Sequence, residues 1–209
     1  MLTNEERSAL RQEMRRLYEA GVPWDDARQT LMQQRPPTVF NTQLSGQHLA
    51  IVDAIVQKWV PEELYHVDIV MADLGARHGE YDRKKDVVRL NPRIFADRNH
   101  LRKTLLHELG HAYAAHHDLD DDPAFLQLSG WVKTREQKEG QARYVENRPG
   151  WPAGPSEWVY NELAWFTRPY ATSAPAEDMA DCFSWVWLKR LPAFQYGGKQ
   201  KLRYVEQHA

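Results

Sequence analysis

Apolar residues recur along this chain at two periods, and the changes of period divide it. Over residues 3–33 the period is helical. Leu10, Met14 and Leu17 share one side, and Thr3 with Glu6 forms a capping box at the start. Ala20-Gly21-Val22-Pro23-Trp24 interrupts this helix, a second short helix covers 25–33, and Arg35-Pro36-Pro37 stops it. Residues 1–37 are predicted to be a helical extension and 38–209 the main domain. A third amphipathic helix over 44–60 lines up Leu49, Val52, Ile55, Val56 and Trp59. Then the period shortens. Segment 66–72 is rich in β-branched residues, 76–82 follows, and 86–91 is a short apolar run joined to 76–82 by Arg83-Lys84-Lys85, a hairpin-length link. They are predicted as strands, with 76–82 at the edge of the sheet. The helical period returns over 97–117 through Leu101, Leu105, Leu106, Leu109 and Tyr113. Residues 118–156 are polar and fit neither period, 157–170 are rich in aromatics, and 176–191 is predicted to be a buried helix ended by Pro192. Strands set beside helices in this order predict an α+β fold with a small mixed sheet.

Composition narrows the possibilities. The 209 residues are enough for one domain with a real core. A net charge of −2 gives no electrostatic reason to expect nucleic acid or an anionic membrane as partner. Cys182 is the single cysteine, which excludes an internal disulfide and a four-cysteine zinc site. No apolar run reaches the roughly 20 residues of a membrane span. The first residues, MLTNEERSALRQEMRR, contain no apolar core of a signal peptide, so the expected location is the cytoplasm or export by a specialised secretion machine.

The chemistry lies in the 97–117 helix, in His107-Glu108-Leu109-Gly110-His111. Residues four apart on an α-helix point to nearly the same side, one turn apart. Two imidazoles so placed can meet one metal ion at about 2.0–2.1 Å, the range for zinc. Glu108, rotated by about 100° from His107, reaches a water on the metal without being a ligand. A catalytic zinc takes three protein ligands, and two residues compete for the third place. Glu177 lies four before Asp181, so the pair shares a helical face. Glu177 can bind the metal while Asp181 accepts the outer N–H of a ligand histidine. His117 is the rival, at the last position of an extended H-E-x-x-H-x-x-G-x-x-H pattern. That pattern needs a glycine to turn the chain, and here Ala114-Ala115 continues the helix and carries His117 off the ligand side. Asp118-x-Asp120-x-Asp122 begins like a calcium loop, but Pro123 and Ser129 stand where glycine and an acid are required, so a helix-ending acidic turn is expected. Trp131, Trp151, Trp158 and Trp165 are expected to pack in the core or line a cleft, and Cys182 to be a small core residue.

His107-Glu-Leu-Gly-His-Ala112 together with Tyr170-Ala-Thr-Ser-Ala-Pro-Ala-Glu177-Asp-Met-Ala-Asp181-Cys-Phe183 resembles the gluzincin zinc peptidases. The likeness is to the toxin metallopeptidases typified by the catalytic domain of anthrax lethal factor. It covers two short blocks, about 100–117 and 165–188. Asp181 stands where the toxin enzymes have Glu and thermolysin-like members have Asp. A looser likeness joins the chain to phage-repressor-cleaving metallopeptidases, which share HELGH and an E-x-x-A-x-x-F helix but have a shorter insert between the blocks. The resemblance implies a zincin-like domain with Zn2+ on His107, His111 and Glu177, Glu108 as general base, Tyr170 at the oxyanion and Asp181 behind a ligand. It implies a protein or peptide substrate paired along the edge strand at Gly79 and Tyr81, with His78 nearby. A toxin or effector role would bring delivery and immunity partners. A regulatory cytosolic peptidase and a non-catalytic zincin-fold binding module are the alternatives. Deformylase-type chemistry would need a cysteine ligand in a glycine-rich setting that Cys182 lacks.

Overall fold

The computed structural model describes residues 16, 20, 21, 44, 46–65, 67–146, 154–189 and 198–208. Of the predicted N-terminal helices, Arg16, Ala20 and Gly21 are among them. Ala20 N–H donates to Arg16 O at 3.0 Å, and Gly21 has φ 79°, the left-handed conformation that ends a helix. The second helix, the 35–37 linker, Trp151 and Pro192 lie outside the described residues.

The chain is α+β. Helix α1 (Gly46–Trp59) buries Val52, Ile55 and Val56. Three strands follow: β1 (Asp68–Met71), β2 (Gly79–Asp82) and β3 (Val87–Leu90). β3 is central, parallel to β1 and antiparallel to β2. Ile69, Val88 and Leu90 are fully buried on one face, as the pleat of adjacent strands requires. The hairpin link runs one residue longer than predicted, because Asp86 adopts φ 55° before β3 starts. A left-handed aspartate is uncommon. This one is buried, and its side chain accepts from the Tyr81 hydroxyl at 2.8 Å and contacts the His116 ring nitrogen at 2.7 Å.

Helix α2 (Arg98–His116) packs on this sheet. Asp97 caps it by accepting from Asn99 N at 2.8 Å and His100 N at 3.3 Å. At the other end Asp118 takes φ 53°, and Leu119 N–H donates back to Ala114 O at 2.8 Å, a Schellman-type stop. The acidic stretch after α2 is thus structural. Asp118 ends the helix, Asp120 accepts from Arg83 at 2.8 Å, and Asp122 caps helix α3 (Pro123–Ser129).

The polar region holds more order than its pattern suggests. Beyond α3 come β4 (Val132–Lys133), β5 (Gln141–Ala142), β6 (Val145–Glu146), β7 (Gly154–Pro155) and β8 (Trp158–Asn161). β8 pairs with β4 and β5 in a second antiparallel sheet, and β6 pairs with β7. Helix α4 (Pro175–Trp187) is shorter than the predicted 176–191, because Lys189 turns left-handed at φ 52°. Helix α5 (Gly198–Glu206) closes the core. Among the described residues no helix is long and apolar enough to cross a membrane.

One buried ion pair ties α5 to α4. Lys201 and Asp178 are both fully buried, with Lys201 Nζ 2.7 Å from Asp178 Oδ2 and 2.5 Å from Trp165 O. Ser129 Oγ and Trp131 Nε1 donate to the same carboxylate. Removing one partner leaves a buried, uncompensated charge. Lys201→Met is expected to lower the unfolding free energy by about 3–5 kcal/mol, measured by chemical denaturation.

Candidate metal centre

Two helices meet at the site. In α2, His107 and His111 stand one turn apart with ring centroids 4.7 Å apart and planes at 80°. In the first turn of α4, Glu177 reaches across, its Oε2 at 3.0 Å from His107 Nε2 and 3.4 Å from His111 Nε2. One ligand atom from each of the three lies within 4.8 Å of the other two. Bonds of 2.0–2.2 Å in a tetrahedron separate neighbouring donors by roughly 3.3 Å. The two measured carboxylate–imidazole separations straddle that value, so the three side chains fit a zinc ion.

The approach of the helices has a specific cause. At Gly110, inside the motif, a Cβ would lie 2.7 Å from Ala180 O and 3.0 Å from Ala180 Cα. The absent side chain lets the backbones of α2 and α4 touch, which brings the first turn of α4 within reach of both histidines.

Asp181, one turn after Glu177, meets the far side of His107, with Oδ1 2.7 Å from Nδ1. An imidazole that donates from Nδ1 offers its Nε2 lone pair to a metal. Asp181 is itself gripped. Arg168 donates from Nε to Oδ2 at 2.6 Å and from Nη2 to Oδ1 at 2.7 Å, and Thr167 Oγ1 donates at 2.9 Å. The sequence reading missed Arg168. A buried acid four residues after a ligand glutamate needs a counter-charge, and an arginine two residues before Tyr170 was the available signal.

The electrostatics favour a cation at this point. Burial opposes the charging of His107, but hydrogen bonds to Asp181 and Glu177 outweigh it and push its pKa up to about 10. Burial also works against ionised Glu177, yet the two histidines hold its carboxyl well below the usual range. Glu108 goes the other way. Burial raises its pKa, against the pull of His107 and His111.

Glu108 is 7% exposed and lines a cleft of about 940 Å³ with His107, His111, Glu177, Tyr170 and β2. β2 lies directly over it. A Cβ on Gly79 would sit 2.7 Å from Glu108 Oε1 and from Thr104 Cγ2. Gly79, predicted as a point of peptide pairing, is therefore also what makes room for this carboxylate. Tyr81 shares the Gly79 face of the strand, its hydroxyl on Asp86, while His78 contacts His100 at 2.7 Å between ring nitrogens. Tyr170 sits in a 3-10 turn, 6.3 Å from His107 between ring centroids, with the Arg168 guanidinium 5.2 Å from its own ring.

The other candidates lie elsewhere. His117 stacks on Tyr113 at 4.3 Å and reaches Glu63 at 3.4 Å, away from the cluster. Trp131, Trp158 and Trp165 do not line the cleft, and Trp131 and Trp165 are buried. Cys182 is fully buried, with its thiol pKa pushed up by that burial. Comparison with protein-family models, curated proteins and solved structures finds no match to this chain.

Two measurements test the centre. Glu177→Ala is expected to abolish stoichiometric zinc binding while His117→Ala retains it, read by metal analysis after gel filtration. A metal must also displace the proton that His107 holds up to about pH 10. Below that pH, zinc affinity is expected to rise at least about tenfold per pH unit, because the metal-free form carries the extra proton. Isothermal titration in buffers of different ionisation enthalpy counts the protons released.

Proposed function

We propose that the chain is a zinc-dependent endopeptidase with a zincin-like domain of the gluzincin kind. The observation that carries this reading is the convergence of His107, His111 and Glu177 on one point, with Glu108 beside them in a cleft bordered by an edge strand. Binding alone needs no Glu108. A buried carboxylate with a raised pKa next to a metal point is the equipment of a general base.

His107, His111 and Glu177 would hold a zinc ion, which when bound would supply Lewis acidity toward a carbonyl and lower the pKa of a water to near neutral. Glu108 takes the proton of the attacking water and returns it to the leaving nitrogen. Asp181 fixes the His107 ring, and Arg168 fixes Asp181. Tyr170, on the cleft wall, donates to the oxyanion.

The substrate main chain is held by strand addition along β2, which among the described strands pairs only with β3. Asn91 N–H donates to His78 O at 2.9 Å, so residue 78 is in a bonded pair, and bonded pairs alternate along an antiparallel ladder. Glu80 and Asp82 therefore direct their main-chain groups to β3, and Gly79 and Tyr81 direct theirs to the opposite edge. That supports the two positions read from the sequence as substrate contacts. Strand addition suits a protein or peptide substrate, and a toxin or effector role with a specialised export route is the biological setting we infer from the resemblance.

Glu108→Gln is expected to keep zinc and fold but lose about 10²–10⁴-fold in peptide cleavage, the value of a general base. Turnover at the wild-type level would remove Glu108 from the mechanism. Gly79→Ala pushes on the same carboxylate, and is expected to lower kcat by about tenfold or more while the zinc content stays at one per chain.

A further inference from the structure

We propose that Tyr144 and Ser156 are positioning residues for Tyr170, so that the strands of the polar region serve as the support of the candidate oxyanion donor. The proposal rests on the endopeptidase reading, in which Tyr170 acts on the reacting carbonyl. It gives a task to a part of the chain that lines none of the cleft.

A donor to an oxyanion must sit within about 2.7–3.1 Å of it. Tyr170 stands on a five-residue 3-10 helix, Pro169–Ser173, whose start has no side-chain cap. Such short pieces have poorer hydrogen-bond geometry than an α-helix. The side chain is only half-buried, so its placement has to come from its neighbours. Three groups meet the ring: His107 at 6.3 Å between centroids, the Arg168 guanidinium at 5.2 Å, and Tyr144 at 6.4 Å with the two planes at 90°. The first two belong to the metal centre. Tyr144 lies between β5 and β6, and its contact is the edge-to-face arrangement that aromatic rings prefer.

The main chain makes the same connection a second time. Ser156 lies between β7 and β8, and its N–H donates to Tyr144 O at 2.9 Å. Its hydroxyl donates to Ser173 O at 2.7 Å and accepts from Trp158 N–H at 3.1 Å. Ser173 Oγ in turn donates to Tyr170 O at 2.8 Å. The path therefore runs from Tyr144 through Ser156 and Ser173 to Tyr170, and the ring contact returns it to Tyr144. Arg143 braces this circuit, with Nη1 donating to Ser156 O at 2.7 Å and Nη2 to Thr134 O at 2.8 Å.

The two restraints act on different freedoms. The Ser156 hydroxyl fixes where the turn lies, and the Tyr144 ring limits how the Tyr170 side chain rotates on it. Neither Tyr144 nor Ser156 lines the cleft, so both act through Tyr170 and not on substrate. The oxyanion exists only in the transition state and the intermediate. Loss of either restraint is therefore felt in kcat rather than in ground-state binding.

The test is a double-mutant cycle on zinc-loaded protein with a fluorogenic peptide. Tyr144→Leu and Ser156→Ala are each expected to lower kcat by about fivefold to thirtyfold, with KM changed by less than about twofold. Zinc content should stay at one per chain. Tyr144→Phe keeps the ring and is expected to restore kcat to within about twofold of wild type. In a Tyr170→Phe background the leucine and alanine variants are expected to cost less than about twofold, because the donor they position is gone. Ser156→Ala removes a single oxygen, which keeps one arm of the cycle in a folded protein. Full cost in the Tyr170→Phe background overturns the proposal and leaves the peptidase reading intact, as does wild-type kcat in Tyr144→Leu, Ser156→Ala or Tyr170→Phe. A second measurement does not depend on turnover. The side-chain NMR resonance of Tyr170, in tyrosine-labelled protein and assigned by its loss in Tyr170→Phe, is expected to shift or broaden in Ser156→Ala. An unchanged resonance overturns the proposal. If wild type cleaves no peptide, the peptidase reading falls, and this resonance alone decides whether the circuit holds Tyr170.

Discussion

The close crossing of α2 and α4 is the constraint on which the site depends. Each helix alone offers an i, i+4 pair: two histidines on one, two carboxylates on the other. Neither pair alone gathers three candidate ligand atoms, which come together only because the helix backbones touch. Gly110 permits that contact, with Ala180 O where its Cβ would be. The same contact is surrounded by fully buried Leu105, Leu106, Met179 and Phe183, so the apolar core that stabilises the domain also sets the ligand spacing. The hydrophobic term supplies the force, and the missing methyl supplies the distance.

Helix α4 carries three carboxylates in its first two turns and gives each a different partner. Glu177 faces the histidines, Asp181 faces the outer nitrogen of His107 and the Arg168 fork, and Asp178 turns away to Lys201, Ser129 and Trp131. Three acids so close together would repel one another in a low dielectric. Their separate cationic partners make the arrangement tenable. The Asp178–Lys201 pair does no chemistry at the metal point. It fixes the rotation of α4 about its axis, and that rotation determines where Glu177 and Asp181 point.

Local spacing was the legible part. His107, Glu108 and His111, and then Glu177 and Asp181, follow from helical geometry within one turn, and the three strands follow from a β-branched segment, a short apolar run and the hairpin-length link before it. The α+β class emerged from the order of these elements. What stayed hidden is long-range or too short to show a period. Arg168 acts on Asp181, Lys201 on Asp178, and Gly79 on Glu108, and no periodicity links such pairs. The second sheet uses mostly two-residue strands, which cannot display alternation. A lone left-handed residue, Lys189, ends α4 before the sequence offers its proline, because lysine gives no warning of positive φ.

The edge strand and the candidate base form one mechanical unit. β2 is tied to α2 at three successive points: the His78–His100 contact, the Gly79 backbone over Glu108, and Tyr81 with His116 on Asp86. A strand held at one point could shift in register as a peptide added to it, and a shift of one residue would reverse which main-chain groups face the cleft. Held at three, it presents Gly79 and Tyr81 to the cleft while Glu108 stays pressed against the same backbone. On the proposed reading, a peptide bonded to that edge would be registered against Glu108, the carboxylate assigned the proton. Positioning of this kind matters because misplacement by about 1 Å is enough to cost on the order of 10²-fold in rate.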